Sequence, residues 1–347
     1  MSQNTNKRKG LGIFLIIILL IALVAGWIGY QAFMGPSIAT DEEYFYVKTD
    51  EPYSSVMSRI ESEGIVKNPT YFKYVAKAMD LESAGIKAGR YKLSKEMSNR
   101  RFIGNLRGGY QEAVKFRFQN VRLRKDFAVL LGQNFEADST AFLNLLNDEK
   151  VAEKYGFNKE NFFSMFIPDT YEIYWNTKPE DIFNRFSKEY EKFWNADRKA
   201  KAAALGLTTQ EVSTLASIVK GEALHVDEMP KIAGLYLNRL KKGMLLQADP
   251  TVIYANNDFT IRRVLNRHLT IDNPYNTYRF KGLPPGPIMM PSIASIDAVL
   301  NYEHHPYIYM CAKDDFSGYH LFAETVAEHL VNARKFQKAL DERNIKK

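Results

Sequence analysis

Residues 11–33, LGIFLIIILLIALVAGWIGYQAF, constrain this chain more than any other stretch. No charged residue occurs from position 10 to position 40. At 1.5 Å per residue such a run crosses a hydrocarbon layer of about 30 Å, so a transmembrane helix is predicted over residues 11–33. Trp27 and Tyr30 stand toward its far end, where amphipathic rings favour the lipid–water boundary. Lys7, Arg8 and Lys9 precede it. Positive charge stays on the cytoplasmic side, so residues 1–10 are expected as a cytoplasmic tail and the chain beyond the helix faces outward. A cleaved signal peptide would have a shorter apolar region, about 7–15 residues, followed by a small-x-small site. The run is too long, and no such site follows it. No cysteine stands directly after it either, so a lipoprotein is excluded.

The remainder reads as globular. Of the 347 residues, 46% are apolar and 25% charged, which supplies a core for two or three domains and argues against disorder. Cys311 is the single cysteine, so neither an internal disulfide nor a multi-thiolate zinc site can form. The net charge is +7. Lys346 and Lys347 contribute to it, as does a basic middle stretch of Arg100, Arg101, Arg107, Lys115, Arg117, Arg122, Arg124 and Lys125. That stretch is either a solvated face or the footprint of an anionic partner, such as membrane lipid or an acidic polymer. Nucleic acid fits the charge but not the outward compartment.

Residues 34–43 read as a linker and residues 44–112 as a small α+β unit. YFYVKT and AGRYKLS are its strands. Helices are predicted around Val56, Met57 and Ile60, after Asn68-Pro69, and after Ser98, the last stopped by Gly108-Gly109. A larger α+β domain covers residues 113–347. It opens with the alternating strand EAVKFRFQNV, followed by helices near 127–131 and 140–146. FIPDTYEIYW is expected as a turn, residues 179–204 as one charged helix, and TVAEHLVNARKFQKALDERN as a closing amphipathic helix. Cys311, in YIYMCAK, is expected in a buried strand, as core rather than as a nucleophile.

Thr208 and Glu211 form a capping box that starts a helix through LASIVKGEA. Leu215, Ile218 and Val219 fall on its apolar stripe, and Glu222 continues that stripe. Two readings stand. Either the helix frays at Gly221 and Glu222 swings into water, or Glu222 is held in a partly apolar cleft. Desolvation would then raise its pKa above about 4.3 and leave it protonated as a general acid. Downstream, Asn238, Arg239, Gln247, Asp249 and Thr251 lie densely among apolar residues. Tyr275, Asn276, Thr277 and Tyr278 follow on a loop, and Pro284-Pro285-Gly286 forms a stiff turn. Aromatic faces beside amides and hydroxyls suit a sugar-reading cleft. His304-His305 lacks the spacing of a metal site, and no metal or cofactor is expected. His320 reads as a structural histidine or as part of the cleft wall.

LASIVKGEA, NRLKKGMLLQADPTVIYA, PYNTYRFKGLPPGPI and FIPDTYEIY together resemble the endolytic murein transglycosylases, the YceG-like family. AGRYKLSKEMSNRRFIGNL is similar to that family's LysM-like subdomain. The resemblance covers nearly the whole chain and implies a bacterial single-pass protein of the cytoplasmic membrane, with a LysM-like subdomain and a catalytic domain outside. It implies cleavage of the β-1,4 bond between N-acetylmuramic acid and N-acetylglucosamine in nascent peptidoglycan, leaving a 1,6-anhydro end and terminating strand elongation beside the peptidoglycan synthases. An ordinary glycosidase needs two carboxylates. The resemblance implies that the sugar's own C6 hydroxyl is the nucleophile, so that one carboxyl serves as acid and then base. The resemblance assigns that role to Glu222. It carries over Asn238, Arg239, Gln247, Asp249, Tyr254, Tyr275, Asn276 and Tyr278 as substrate-binding candidates, with Arg239 and Asp249 equally readable as a structural pair. Lys220 stands where the family pattern has an acid, and side chains two apart on a helix do not face each other. A non-catalytic glycan-binding scaffold and a water-using hydrolase are the rival readings.

Overall fold

The computed structural model describes residues 3–343; Lys346 and Lys347 lie outside them. The chain divides into two compact units, residues 1–115 with 172–177, and residues 116–171 with 178–347.

The first unit begins with α1 (Gln3–Met34), whose segment Leu11–Met34 is long and apolar enough to cross a membrane. Its side chains from Leu11 to Ile28 stand exposed, and only the last turn is packed: Ala32 is buried and its carbonyl accepts from Asn99 Nδ2 at 2.8 Å. A helix that is apolar all round and uncovered is compatible with a single-pass membrane anchor. Ser37 and Ile38 are buried, and Pro36 and Ile38 bridge to Ser98 and Val66, so the chain after α1 is tied into this unit. β1 (Tyr44–Val47), α2 (Tyr53–Ser62), α3 (Pro69–Ala78), α4 (Leu81–Ala84), β2 (Gly89–Lys92) and α5 (Asn99–Gly108) follow. β1 and β2 pair antiparallel, with Phe45 opposite Tyr91. Their inward rings meet Val56, Phe72, Val75, Phe102 and Ile103 in one core. The predicted caps form: Asn68 and Ser98 accept from Tyr71 N and Arg101 N, and Gly109 takes the left-handed conformation that ends α5.

The chain crosses into the second unit within β3 (Val114–Arg117), which pairs with β4 (Thr170–Ile173). β4 corrects the expected turn at FIPDTYEIYW: Tyr171 and Ile173 alternate inward, a strand pattern hidden by the preceding Pro-Asp. α6 (Arg124–Asn134), α7 (Ser139–Asn147) and α8 (Glu149–Lys154) lie between them. Phe118, Phe127, Phe166 and Phe186 form an aromatic core in which Phe118 stacks on Tyr171. The predicted charged helix is two, α9 (Pro179–Phe193) and α10 (Ala196–Ala204). Trp194 is fully buried and ends the first, while the Asn195 side chain accepts from Arg198 N and starts the second. Local side-chain bonding of this kind competes with a continuous helix.

α11 (Thr209–Glu222) lies at the centre of the unit, with α12 (Met229–Lys241), α13 (Asp249–Asn256) and α14 (Ile293–Leu300) around it. β5 (Tyr309–Ala312) and β6 (His320–Ala323) form an antiparallel hairpin, and α15 (Val326–Glu342) packs on it. Cys311 lies in β5 but is half-buried and borders a cavity together with Met310 and Ala312.

Candidate active site

The capping box of α11 forms on both sides: Glu211 N donates to Thr208 Oγ1 at 3.2 Å, and Thr208 N donates to Glu211 Oε2 at 2.8 Å. Beyond it, residues 212–219 are all buried, so the helix is covered on every face rather than along one stripe. Its hydroxyls are satisfied locally. Ser213 and Thr214 donate to the carbonyls of Thr209 and Gln210, and Ser217 donates to Thr214 O while accepting from Ile288 N. Gly221 does not fray the helix. It lets the start of α13 approach, since a Cβ there would lie 2.8 Å from Pro250 Cβ. Gly221→Ala is therefore expected to destabilise the fold. Helix propensity favours Ala by about 1 kcal/mol, but overpacking costs about 1–3 kcal/mol and displaces α13. Thermal unfolding together with turnover checks both parts.

Glu222 is the last residue of α11 and is half-buried at a cavity of about 300 Å³. Its Oε1 accepts from the buried Tyr236 hydroxyl at 2.8 Å. Burial pushes its pKa up to about 7; the Tyr236 hydrogen bond pulls it down, and the nearby Asp249 charge pushes it further up. The carbonyls ending α11 also disfavour an anion there. Near neutral pH the carboxyl therefore keeps its proton far more readily than an ordinary glutamate does. Tyr236→Phe removes the bond that favours the anion. The pKa of Glu222 is expected to rise further in that variant, as a pH titration of the carboxyl followed by infrared spectroscopy would measure.

The cavity walls come from α11, α12, α13, the β5–β6 hairpin and the loops that carry Gln247 and Tyr278. Arg239, on α12, is buried: its Nε donates to Ile308 O at 2.6 Å, and its Nη1 to Leu245 O, Leu246 O and Gln247 Oε1 at 3.0, 2.9 and 3.1 Å. Among the described residues it forms no ion pair, and its hydrogen bonds go to carbonyls and an amide oxygen rather than to Asp249. Gln247 sits at φ +54°, in the left-handed region, held there by its N–H to Thr277 O at 3.1 Å. Asp249 opens α13 and accepts from the Tyr278 hydroxyl at 2.6 Å. Across from these stand Met310, Cys311 and His320 of the β5–β6 hairpin. His320 is clamped by Glu228, which accepts from its backbone N at 2.7 Å and lies 2.8 Å from its Nδ1.

Of the residues singled out in the sequence, Arg239, Gln247, Asp249 and Tyr278 therefore share the cavity with Glu222. Asn238 does not line it; its amide donates to His305 O and Tyr307 O and holds the approach to β5. Asn276 is fully buried, donating to Leu269 O and Ile271 O and accepting from Tyr278 N, so it shapes the loop that presents Tyr278. Tyr254 and Tyr275, with rings 4.7 Å apart, line a different cavity. Lys220 faces a third, with Asn120, Asp169 and Thr170. His305 is a structural histidine on a loop, bonded to Lys231 O and Tyr307 N. Sequence reasoning missed Tyr236 and Glu228. Tyr236 reads as one more ring on an apolar helix, and its spacing of 14 residues from Glu222 carries no signal.

The profile of the YceG-like family matches residues 45–335. The chain belongs to the YceG-like family. Among YceG-like relatives, an endolytic murein transglycosylase of Bacillus subtilis is 29% identical over 309 residues, covering 84% of this chain and 83% of its own length. One from Streptococcus pneumoniae is 26% identical over 359 residues, covering 92% of this chain and 64% of its own length. The fold is similar to a crystal structure of a YceG-like protein from Listeria monocytogenes, with a TM-score of 0.56 and 24% identity, covering 83% of this chain and 98% of that one.

Proposed function

We propose that this protein is a membrane-anchored endolytic transglycosylase of peptidoglycan, with Glu222 as acid and then base. The observation that carries the reading is a half-buried carboxyl at the end of a central helix, open to a cavity and held near pKa 7. The protonated carboxyl gives its proton to the bridging oxygen between muramic acid and glucosamine. The C1–O bond breaks with its electron pair on that oxygen. The C6 hydroxyl of the same muramyl sugar then bonds to C1, and its proton passes to the Glu222 carboxylate, restoring the acid. No water enters, so the two products together weigh what the strand weighed. The names of the relatives support this substrate and reaction for the chain. In the same reading α1 anchors the protein in the cytoplasmic membrane with the second unit outside. The unit of β1, β2 and α2–α5 is a LysM-like glycan-binding subdomain, and peptidoglycan synthases are its neighbours.

A second reading rests on Asp249. Its carboxylate shares the cavity with Glu222, and a paired carboxylate is what a water-using glycosidase requires. Digesting uncross-linked glycan and weighing the new ends separates the two. Anhydro ends are expected; ends heavier by one water would establish hydrolysis and overturn the transglycosylase reading. Tight binding with no new ends would leave a glycan-binding scaffold.

A further inference from the structure

Glu228 and His320 have no part in the proton transfers at Glu222, yet His320 lines the same cavity. Glu228 is 6% exposed, and both its carboxylate oxygens are bonded to this one residue. Oε1 accepts from His320 N at 2.7 Å, and Oε2 lies 2.8 Å from His320 Nδ1. A buried carboxylate is costly even when bonded, and a tether between these segments does not need one. The α11–α12 connection is already tied to the β5–β6 turn by other contacts. The His225 ring stacks on Tyr319 with centroids 4.0 Å apart, His225 Nε2 lies 2.8 Å from Ser317 O, and the Tyr319 hydroxyl donates to Asp227 Oδ2 at 3.1 Å.

A carboxylate only accepts, so in the neutral ring the nitrogen against it carries the proton, and His320 is the Nδ1–H tautomer. Its Nε2 then holds a lone pair, and among the described residues that atom has no hydrogen-bond partner. The ring belongs to the cavity wall, so the pair offers the cavity an acceptor backed by a buried carboxylate. Glycoside cleavage builds positive charge at C1, and hydrogen bonds from the substituent at C2 strengthen as that charge grows. On a muramyl ring C3 bears an ether, and C1 and C4 lie in the strand. Its own donors are therefore the C2 acetamido N–H and the C6 hydroxyl. The C6 proton goes to Glu222, which leaves the N–H for a second acceptor.

We propose that His320 is a catalytic residue whose Nε2 accepts from the C2 acetamido N–H of the muramyl sugar, and that Glu228 is the positioning residue that fixes its tautomer. This role deepens the glycan-cleaving reading of Glu222 and rests on it. The bond tightens as C1 becomes positive, so its effect falls on kcat rather than on KM.

The test uses the full chain in detergent with uncross-linked strands. His320→Asn puts an amide N–H where Nδ1–H stood and keeps a donor to Glu228, but it removes Nε2. It is expected to lower kcat for strand cleavage about thirtyfold, with KM within about twofold of wild type. Glu228→Gln still accepts from His320 N, but its amide donates to Nδ1 and forces the Nε2–H tautomer, which turns the acceptor into a donor. A similar fall in kcat is expected, with the proton moving from Nδ1 to Nε2 in nitrogen-15 NMR. His320→Asn identifies the ring's signals among the six histidines. Wild-type kcat in His320→Asn would overturn the proposal and leave the pair as a clasp, and so would an unchanged kcat with a raised KM. An Nδ1–H ring in Glu228→Gln would remove the positioning role. Hydrolysed ends made by the wild type would overturn the transglycosylase reading alone, because charge grows at C1 in either reaction and the fall in kcat would still stand. No cleavage by the wild type would remove both.

Discussion

Glu222→Gln is expected to lower formation of anhydro ends by about a thousandfold, within the usual range for loss of a general acid–base. Gln has the shape of the protonated acid and still accepts from Tyr236, but it has no proton to give. Folding should survive, and at alkaline pH it should improve. The folded pKa of Glu222, about 7, lies above the ordinary 4.5. Between those values the unfolded chain has released the proton and the folded chain still holds it, so this group's contribution to stability falls as pH rises through that window. Removing the carboxyl should leave the variant about 3 kcal/mol more stable than wild type near pH 8, with no gain near pH 4. Urea unfolding at the two pH values checks this. A variant that cuts glycan at the wild-type rate would refute the assignment of Glu222.

Arg239→Met is expected to cost about 3–5 kcal/mol, the largest stability loss among the cavity residues. Burial alone holds the pKa of this guanidinium below its usual value, yet its fork carries three carbonyls and the Gln247 amide oxygen at once. Met fills part of the volume and leaves those acceptors dry and unpaired. Arg239→Lys keeps the charge, but one ammonium cannot reach acceptors on both the 245–247 loop and Ile308, so it should recover only a fraction. Denaturant midpoints for both variants, with hydrogen exchange over residues 244–248, test the assignment. Protection in that loop equal to wild type would show that Arg239 does not hold it. Because Gln247 and Asp249 follow directly, turnover should fall along with stability.

Some of this architecture was written in short stretches of sequence. The apolar run of α1, the caps at Asn68, Ser98 and Thr208, and the alternation in β1 and β3 all rest on interactions within about four residues, or on the period of one element. Glu222 was legible in the same way, as a carboxyl on an otherwise apolar stripe. The misread segments had competing local signals: Pro-Asp before β4 read as a turn, and the even charge of residues 179–204 hid the break at Trp194 and Asn195.

What the sequence by itself determined is the long apolar helix α1, most of the elements and a carboxyl at the end of α11. Only the tertiary structure decided that α11 is enclosed on all sides, that Tyr236 bonds to Glu222, and that Asp249 stands beside it while Tyr254 and Tyr275 turn to another cavity. The reason is physical. A cap or a strand period depends on neighbours along the chain, whereas the proton affinity of Glu222 depends on burial and on charges from α12 and α13, and packing alone brings those to it.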